Sequence, residues 1–485
     1  MSDLLGLNTL NRVPAASRPR VIAAGAGIVH LGVGAFHRAH QAVFTEDAMA
    51  AAGGDWGIVG VAPRSTAVVD ALRAQDRLFS VSTYGPAGRS VRVIGAFAGL
   101  RHAAADPDAV VALLADPAIK IVTLTVTEKA YRLDPATGRL LLDDELRGDL
   151  ETDRPPHTVP GLLIRGLIAR RRADGGPIAL VSCDNLPANG HRLRGLLDYL
   201  AAATSMTGWV AANVTFPGTM VDRIVPATTA ETLALAAADL GVRDEAAVHG
   251  EPYSVWVIED DFPAGRPAWE RAGAVLTGDP RPWERLKLRT LNGVHSAIAY
   301  LGALAGRETI ADALRVRGMT ATMRRFIAED IAPGFEPPPT VNTIEYGEEV
   351  LDRFANPAIG HRTVQVAMDG SQKLPQRVLH TILDRRRAGG TPRWGTLVVA
   401  AWMRYVQGTA DDGRDLPLDD PLADRIRARL AAAPATPAGV VDALLGLDTV
   451  FAPELACDDT VRQLLVDWLT ELEKHGVERT LAGTS

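Results

Sequence analysis

Residues 28–40 are Ile28-Val29-His30-Leu31-Gly32-Val33-Gly34-Ala35-Phe36-His37-Arg38-Ala39-His40. This order of buried strand, glycine turn and helix start is the one that a dinucleotide phosphate loop requires. Gly32 permits the tight turn, and Gly34 lets the backbone approach a pyrophosphate. His37 stands where the usual third glycine would be, so a plain βα turn remains an alternative. The residues predicted to contact a dinucleotide here are Gly32, Gly34, Ala35, Phe36, His37 and Arg38.

A second apolar run, residues 57–61, completes a βαβ unit of the expected size. The acidic residue that usually binds the ribose hydroxyls is absent after Val61, where Arg64, Ser65 and Thr66 stand instead. Arg64 is suited to a 2′-phosphate. NAD is the predicted cofactor, and NADP remains open.

Polar residues follow two further buried strands, at 119–126 and 178–183. Ligands of open α/β sheets lie at the carboxyl edge of the strands, so these residues are site candidates. The first group is Thr127, Glu128 and Lys129, and the second begins with Asp184-Asn185. Asp184-Asn185 fits a turn or a helix cap equally well.

A helical pattern begins near Leu286 and brings together Lys287, Asn292 and His295. At about 100° per residue, Lys287 and His295 lie roughly 80° apart around the axis. A desolvated lysine has a lowered pKa and can exchange a proton with an alcohol or ketone. The alternative is that Lys287 is a solvated surface residue and that His295 is a core histidine whose hydrogen bonds are made within the protein.

The fold class predicted from these patterns is α/β. A Rossmann-like dinucleotide-binding domain spans residues 1–284, and a mostly α-helical C-terminal domain spans residues 285–485. Within the first domain, residues 79–84 and 91–97 are predicted to form a β-hairpin, and residues 213–226 an irregular segment.

The composition argues against several classes of function and partner. The chain has 485 residues, 47% hydrophobic and 22% charged, with a net charge of −7, which argues against a nucleic-acid partner. Two cysteines, Cys183 and Cys457, indicate a reducing compartment. The absence of a signal peptide pattern and of a long apolar run predicts a cytoplasmic protein with no membrane partner. The pair His37 and His40 has metal-ligand spacing but lacks a third ligand cluster, so no metal is predicted.

Eight motifs in order resemble the polyol-specific long-chain dehydrogenases, the mannitol dehydrogenase family. They are HLGVGAFHRAHQA (30–42), LTVTEKAY (124–131), VSCDNLPANG (181–190), NVTFPGTMVDRIVP (213–226), WVIEDDF (256–262), KLRTLNGVHS (287–296), MDGSQKLPQR (368–377) and AWMRYVQG (401–408). The resemblance implies that Lys287 is the general acid/base. It also implies an oxyanion hole of Asn185 and Asn292, with His295 orienting the substrate. Further positions matching the family are Lys373 and Asp222, around the substrate or the lysine, and Glu284, as a proton relay.

Within this family the chain is most similar to the fructuronate reductases, also called D-mannonate oxidoreductases. The features that resemble them are Glu128-Lys129, His361-Arg362-Thr363, Gln365 and SQKLPQR. A uronate carries a carboxylate, for which Lys129, Arg362 and Lys373 would supply positive charge. The predicted reaction is therefore the reversible, metal-independent reduction of D-fructuronate to D-mannonate by a monomer or small homo-oligomer. The alternatives are a mannitol, arabinitol or sorbitol 2-dehydrogenase and a non-catalytic sensor of sugar acids or nucleotides.

Overall fold

The computed structural model describes residues 3–85, 88–133, 140–152, 154–357 and 360–483. The chain divides into two compact units, Met1–Pro280 and Arg281–Ser485. The division thus falls before Glu284, which belongs to the same unit as Lys287. The boundary predicted from sequence placed Glu284 at the end of the first domain.

Unit 1 is built on a six-stranded parallel sheet, whose strands in spatial order are β5 (Phe97–His102), β2 (Gly57–Ala62), β1 (Ala26–Leu31), β6 (Ile121–Leu124), β7 (Ile178–Ser182) and β8 (Val214–Thr215). Its central strands are rich in valine, isoleucine and leucine and are buried on both faces, as a sheet covered by helices requires. From β1 the chain runs outward through β2 to β5, and then returns to β6 on the other side. The carboxyl ends of β1 and β6 therefore flank the switch point where ligands of such sheets bind. The strands are β1 (Ala26–Leu31), β2 (Gly57–Ala62), β3 (Phe79–Gly85), β4 (Gly88–Ile94), β5 (Phe97–His102), β6 (Ile121–Leu124), β7 (Ile178–Ser182), β8 (Val214–Thr215), β9 (Thr219–Asp222), β10 (Val248–Gly250), β11 (Val255–Glu259) and β12 (Val275–Thr277).

Two small sheets complete the strand structure, in the orders β10-β3-β4 and β12-β11-β9. The predicted hairpin exists as β3 and β4, but Phe97 is not part of it. Phe97 begins β5, which pairs in parallel with β2. The segment predicted to be irregular also contains β8 and β9, and β9 pairs with β11. Both errors have one cause: β5 pairs with β2 and β9 pairs with β11, and local sequence pattern does not reveal pairing between segments that are distant in sequence.

Helices cover the parallel sheet of unit 1, and several begin at side-chain caps. Asp106 and Thr158 each accept a hydrogen bond from a first-turn amide, and a proline follows in the first turn of both helices. The helices are α1 (Ala35–Ala39), α2 (Gln41–Ala52), α3 (Ala67–Ala74), α4 (Pro107–Ala115), α5 (Asp144–Glu151), α6 (Val159–Arg172), α7 (Asn189–Ala203), α8 (Thr207–Asn213) and α9 (Ala230–Leu240), with 3₁₀ turns at Ala15–Ser17, Glu128–Tyr131 and Trp269–Ala272.

Unit 2 is helical throughout its described residues, which confirms the predicted C-terminal domain class. Its centre is α11, whose residues from Ser296 to Leu304 are all buried. Three segments are π-helical: Lys287–Asn292, Phe326–Ile331 and Pro375–Leu379. The α-helices are α10 (Arg281–Leu286), α11 (Gly293–Leu304), α12 (Ile310–Ala313), α13 (Met319–Arg325), α14 (Thr343–Phe354), α15 (Thr363–Ala367), α16 (Gly370–Leu374), α17 (His380–Arg387), α18 (Arg393–Tyr405), α19 (Ala423–Ala432), α20 (Pro437–Leu445), α21 (Pro453–Ala456) and α22 (Asp459–Ala482).

No helix of the described residues has the length and apolar character needed to cross a membrane. No group of three or more histidine, cysteine, aspartate or glutamate side chains is placed to hold a metal ion in that part of the chain.

Candidate functional site

The first candidate residues lie at the carboxyl end of β1. Gly32 has a φ angle of 106°, and a Cβ atom on it would lie 2.1 Å from the backbone oxygen of Thr125. Only glycine allows the loop to pass so close to the end of β6. Gly34 caps α1 and is exposed, and a Cβ atom there would meet nothing nearer than 4.0 Å. This open space in front of backbone amides fits the pyrophosphate of a dinucleotide.

His37, which replaces the third glycine, is wholly buried beneath this loop. Its ring stacks on that of His30, with 3.3 Å between centroids and 11° between planes. Nε2 of His30 lies 2.8 Å from the carbonyl oxygen of Gly32. Burial lowers the pKa of His37 well below its ordinary value and that of His30 to about 3, so both rings are neutral. The two stacked rings fill the space between β1 and α1 at the position where a glycine would leave it open.

Arg38 is also directed into the core. Its guanidinium donates to the carbonyl oxygens of Ala246 and Gly34 and lies 5.9 Å from the ring of Phe79. The side chains of His37 and Arg38 are thus buried, so a contact of either residue with a dinucleotide would have to come from its backbone. The predicted contacts of Gly34, Ala35 and Phe36 with a dinucleotide stay a prediction.

Arg64 lies just beyond the carboxyl end of β2 and is exposed. Its carbonyl oxygen accepts a hydrogen bond from Nε2 of His102, which ties the loop to β5. The carboxyl end of this strand is the part of a Rossmann sheet where the adenosine ribose usually binds. NADP therefore remains open as a cofactor, because Arg64 is exposed and the acidic residue that usually binds the ribose hydroxyls is absent.

The carboxyl edge of β6 is held by a carboxylate from the next strand. Asp184 accepts hydrogen bonds from the amides of Val126 (3.2 Å) and Thr127 (2.8 Å) and from the hydroxyl of Tyr131 (2.7 Å). Thr127 has a φ angle of 69°, an unusual conformation for a β-branched residue. Such strain persists only where surrounding contacts hold it, and it is frequent at functional sites. Asp184 is therefore a supporting residue rather than a turn residue.

Asn185 follows Asp184 and is exposed. The loop that carries it is fixed by Asn189, which is buried. Nδ2 of Asn189 donates to the carbonyl oxygens of Asp184 (3.1 Å) and Thr219 (3.0 Å), and its Oδ1 accepts from the amide of Thr219 (2.9 Å). The sequence did not single out Asn189, because an asparagine at the start of a helix resembles an ordinary cap and its partner is distant in sequence.

The remaining candidates of unit 1 differ in exposure. Glu128 and Lys129 are exposed on the 3₁₀ turn after Thr127, and Glu128 lies 3.7 Å from Arg192 of α7. Asp222 is only 5% exposed and ends β9, where it pairs with Val255 of β11. The carboxylate of Asp222 is thus held on a strand, whereas Lys129 is on a surface turn.

The candidate residues of unit 2 begin with Lys287 and Asn292, each 7% exposed. The angles predicted for them assumed an α-helix, but Lys287–Asn292 is π-helical, with wider turns, so the predicted separation of roughly 80° does not hold. Segments of this kind are frequent at functional sites. Oδ1 of Asn292 and Nε2 of His295 are buried and have no hydrogen-bond partner among the residues that the structure describes. A hydroxyl group of a ligand is a suitable partner for an atom of either kind.

His295 lies against aromatic and basic groups. Its ring stacks on Phe354 at 4.5 Å between centroids and on His361 at 5.5 Å. Burial lowers the pKa of His295 well below its ordinary value, and the charges of His361, Arg377 and Lys373 lower it further. A neutral imidazole in such a place can accept or donate a hydrogen bond but is not a cationic acid.

Lys373 lies on α16, and its ammonium donates to the carbonyl oxygens of Met368 (2.5 Å) and Val366 (3.4 Å). Burial, followed by the charge of Arg377, lowers the pKa of Lys373 to about 8. Arg362 precedes α15 and is exposed, so it is a weaker candidate for holding a substrate charge. No pattern in the sequence singled out Arg377, although it lies in the same MDGSQKLPQR motif.

These features restrict the kinds of reaction that the protein can catalyse. A cradle for a pyrophosphate at a sheet's switch point is typical of dinucleotide enzymes. A buried lysine beside an asparagine and a neutral histidine is suited to proton exchange with a substrate oxygen. Together they define the class of the protein as a dinucleotide-dependent oxidoreductase.

Comparison with known proteins gives the family. Residues 26–271 match the mannitol dehydrogenase Rossmann domain, and residues 279–472 match the mannitol dehydrogenase C-terminal domain. The chain belongs to the mannitol dehydrogenase family, as its motifs predicted.

Relatives in this family cover nearly the whole chain. An uncharacterized oxidoreductase, YeiQ, of Escherichia coli is 42% identical over 94% of each chain. The D-mannonate oxidoreductase of Escherichia coli is 41% identical over 88% of this chain and 89% of its own. The Pseudomonas fluorescens mannitol 2-dehydrogenase, solved as a ternary complex with NAD and D-mannitol, is 33% identical over 99% of both chains with a TM-score of 0.85. The predicted fold, cofactor class and enzyme class agree with these relatives.

Proposed function

We propose that the protein is an NAD-dependent oxidoreductase that interconverts D-fructuronate and D-mannonate. The observation that carries this proposal is a pair of positive charges near His295, on a protein whose net charge is −7. Arg377 donates a hydrogen bond to Oγ of Ser296, the residue after His295, and Lys373 lies four residues before Arg377 on the same helical segment. An anionic sugar acid gains from such charge, whereas a neutral polyol does not.

The cradle at Gly32 and Gly34 supports binding of the cofactor pyrophosphate. NADH, when bound, supplies the hydride for reduction of the ketone, and NAD accepts it in the reverse direction. Every other step falls to side chains of the chain itself.

Lys287 is the proposed general acid/base: it protonates the substrate oxygen during reduction and removes that proton during oxidation. The amide of Asn292 donates to the same oxygen as negative charge develops on it. Neutral His295 orients the substrate through a hydroxyl group. The roles proposed for Asn185 in the oxyanion hole and for Glu284 as a proton relay rest on the motif resemblance. The same holds for Asp222 and Lys129 at the substrate, and for Thr127 and Glu128 at the cofactor.

A second candidate function is that of a mannitol, arabinitol or sorbitol 2-dehydrogenase. It is favoured by the similarity to the Pseudomonas fluorescens mannitol 2-dehydrogenase over 99% of the chain. A non-catalytic sensor is disfavoured, because it would not require a buried lysine next to unpaired polar atoms of Asn292 and His295.

The test is NADH oxidation with D-fructuronate and with D-fructose at equal concentrations. The proposal expects a clear preference for fructuronate, and equal or better turnover of fructose refutes it in favour of the polyol enzyme. Lys287→Ala should lower kcat by about 10²- to 10⁴-fold with NADH affinity retained. Lys474→Ala removes an exposed lysine and is the matched control. Activity retained in Lys287→Ala would remove this lysine from the mechanism.

A further inference from the structure

The segment that carries Lys373 continues beyond it without a break. α16 (Gly370–Leu374) leads directly into the π-helix Pro375–Leu379 and then into α17. Leu374 and Pro375 both have helical backbone angles. Arg377 therefore follows Lys373 by four residues, about one turn further along the same helix.

Two contacts fix Arg377 beside the first turn of α11. Its Nη1 donates a 3.0 Å hydrogen bond to Oγ of Ser296, which is 1% exposed and directly follows His295. At the backbone, a Cβ atom on Gly293 would lie 2.8 Å from the carbonyl oxygen of Arg377, so the two helices touch at a distance that only glycine permits. Arg377 is thus held in position next to His295 by both its side chain and its main chain.

The guanidinium of Arg377 has more N–H donors than hydrogen-bond partners among the described residues. It carries five N–H groups, and within the described part of the chain Ser296 Oγ is its one hydrogen-bond partner, with no carboxylate in an ion pair. Burial lowers the pKa of Arg377, and the charges of Tyr300 and the more distant Asp369 offset only part of this effect. A charge held in this way gains strongly from an anionic ligand, and a planar guanidinium can bind a carboxylate through two hydrogen bonds.

Lys373 supplies a second positive charge near Arg377. The nearest carboxylate to its ammonium, that of Asp369, is 3.9 Å away, and its short hydrogen bonds are to neutral carbonyl oxygens. The charge of Arg377 lowers the pKa of Lys373, and the charges of both residues lower the pKa of His295, which places the three groups near one another. Arg362, by contrast, is exposed to solvent, where a single charge contributes little.

We propose that Arg377, together with Lys373, binds the carboxylate of the sugar-acid substrate, and that Arg377 rather than Arg362 determines the preference for acids over neutral sugars. This inference rests on the proposed function and adds the residue that selects the substrate class. Ser296 is a positioning residue for Arg377.

The experiment compares steady-state kinetics with D-fructuronate and D-fructose in Arg377→Met, Arg377→Lys, Ser296→Ala and Arg362→Met. In Arg377→Met, KM for fructuronate should rise by about 10- to 100-fold, while KM and kcat for fructose stay within about threefold. Arg377→Lys keeps the charge without the planar fork and should restore part of the loss. Ser296→Ala should raise KM for fructuronate by a smaller factor. Arg387→Met is the control, because Arg387 is an exposed arginine of the adjoining helix paired with Glu454 at 2.6 Å.

The outcomes separate the two proposals. A wild-type protein without preference for fructuronate refutes the proposed function, and the assignment of Arg377 with it. A wild-type preference that survives in Arg377→Met, or that is lost in Arg362→Met instead, overturns the assignment of Arg377 alone. Equal losses for both substrates in Arg377→Met and Arg377→Lys would show a structural role and would likewise overturn it.

Discussion

Replacing Asp184 by alanine should destabilise unit 1 strongly. Asp184 is buried and accepts three hydrogen bonds, from Val126 N, Thr127 N and the hydroxyl of Tyr131. A hydrogen bond to an ionised group contributes about 1.5–3 kcal/mol. The hydroxyl of Tyr131 keeps Oγ of Ser182 at 2.6 Å, so the main loss is at the two amides. The free energy of unfolding should therefore fall by about 3–5 kcal/mol.

Asp184→Asn is a graded test of the same reasoning. With its oxygen in the place of Oδ2, asparagine still accepts from Val126 and Tyr131, but its amide group then faces the amide of Thr127. One mismatched donor should cost about 1–3 kcal/mol. Asp198→Ala is the control, because Asp198 is 60% exposed and its ion pair with Arg194 spans 3.8 Å. Its effect should stay below about 0.5 kcal/mol.

Urea unfolding followed by circular dichroism measures these energies. Hydrogen exchange of the peptide that contains residues 126 and 127 measures the local effect. In Asp184→Ala the amide of Thr127 should exchange much faster, and NADH should bind more weakly, because the strained backbone of Thr127 loses its support. A loss below about 1 kcal/mol with unchanged protection of this amide would refute the reasoning.

Single substitutions at Gly32, Arg170 and Lys373 should change the cofactor affinity, the stability and the pH dependence of ligand binding, respectively. Gly32→Ala places a methyl group 2.1 Å from the oxygen of Thr125 at a φ of 106°, so fluorescence titration should show NADH affinity reduced by at least about tenfold; unchanged affinity would separate the turn from cofactor binding. Arg170→Met removes five hydrogen bonds to backbone carbonyl oxygens, and its unfolding free energy should fall by about 3–5 kcal/mol in urea, against a change near zero for the exposed Arg194→Met. The pKa of Lys373 is lowered to about 8, so the affinity for D-mannonate, measured by calorimetry, should fall as the pH rises through 8 and the ammonium loses its charge; Lys373→Met should abolish this dependence.

The functional residues fall into two groups by how far the sequence reveals them. Lys287, Asn292 and His295 are recognisable because they interrupt one apolar helical pattern, and Gly32 and Gly34 because they follow an apolar strand. Asn189 and Arg377 are not recognisable in this way, and the sequence marked Asp184 as a site candidate without showing which groups it supports. Each acts through partners far along the chain: Thr127 for Asp184, Thr219 for Asn189 and Ser296 for Arg377. A list of motifs contains such residues but does not distinguish them from their neighbours.

Local pattern was enough to predict the α/β class, the phosphate loop and the change to helices near Leu286, because periodicity and glycine turns act over a few residues. Tertiary packing decided the rest. It buried the ring of His37 against His30, separated Phe97 from the hairpin into β5, and widened Lys287–Asn292 into a π-helix. These outcomes depend on which surfaces meet after folding. Burial, the pKa of Lys373 and the position of Arg377 beside His295 arise from contacts between distant residues, which local sequence pattern does not encode.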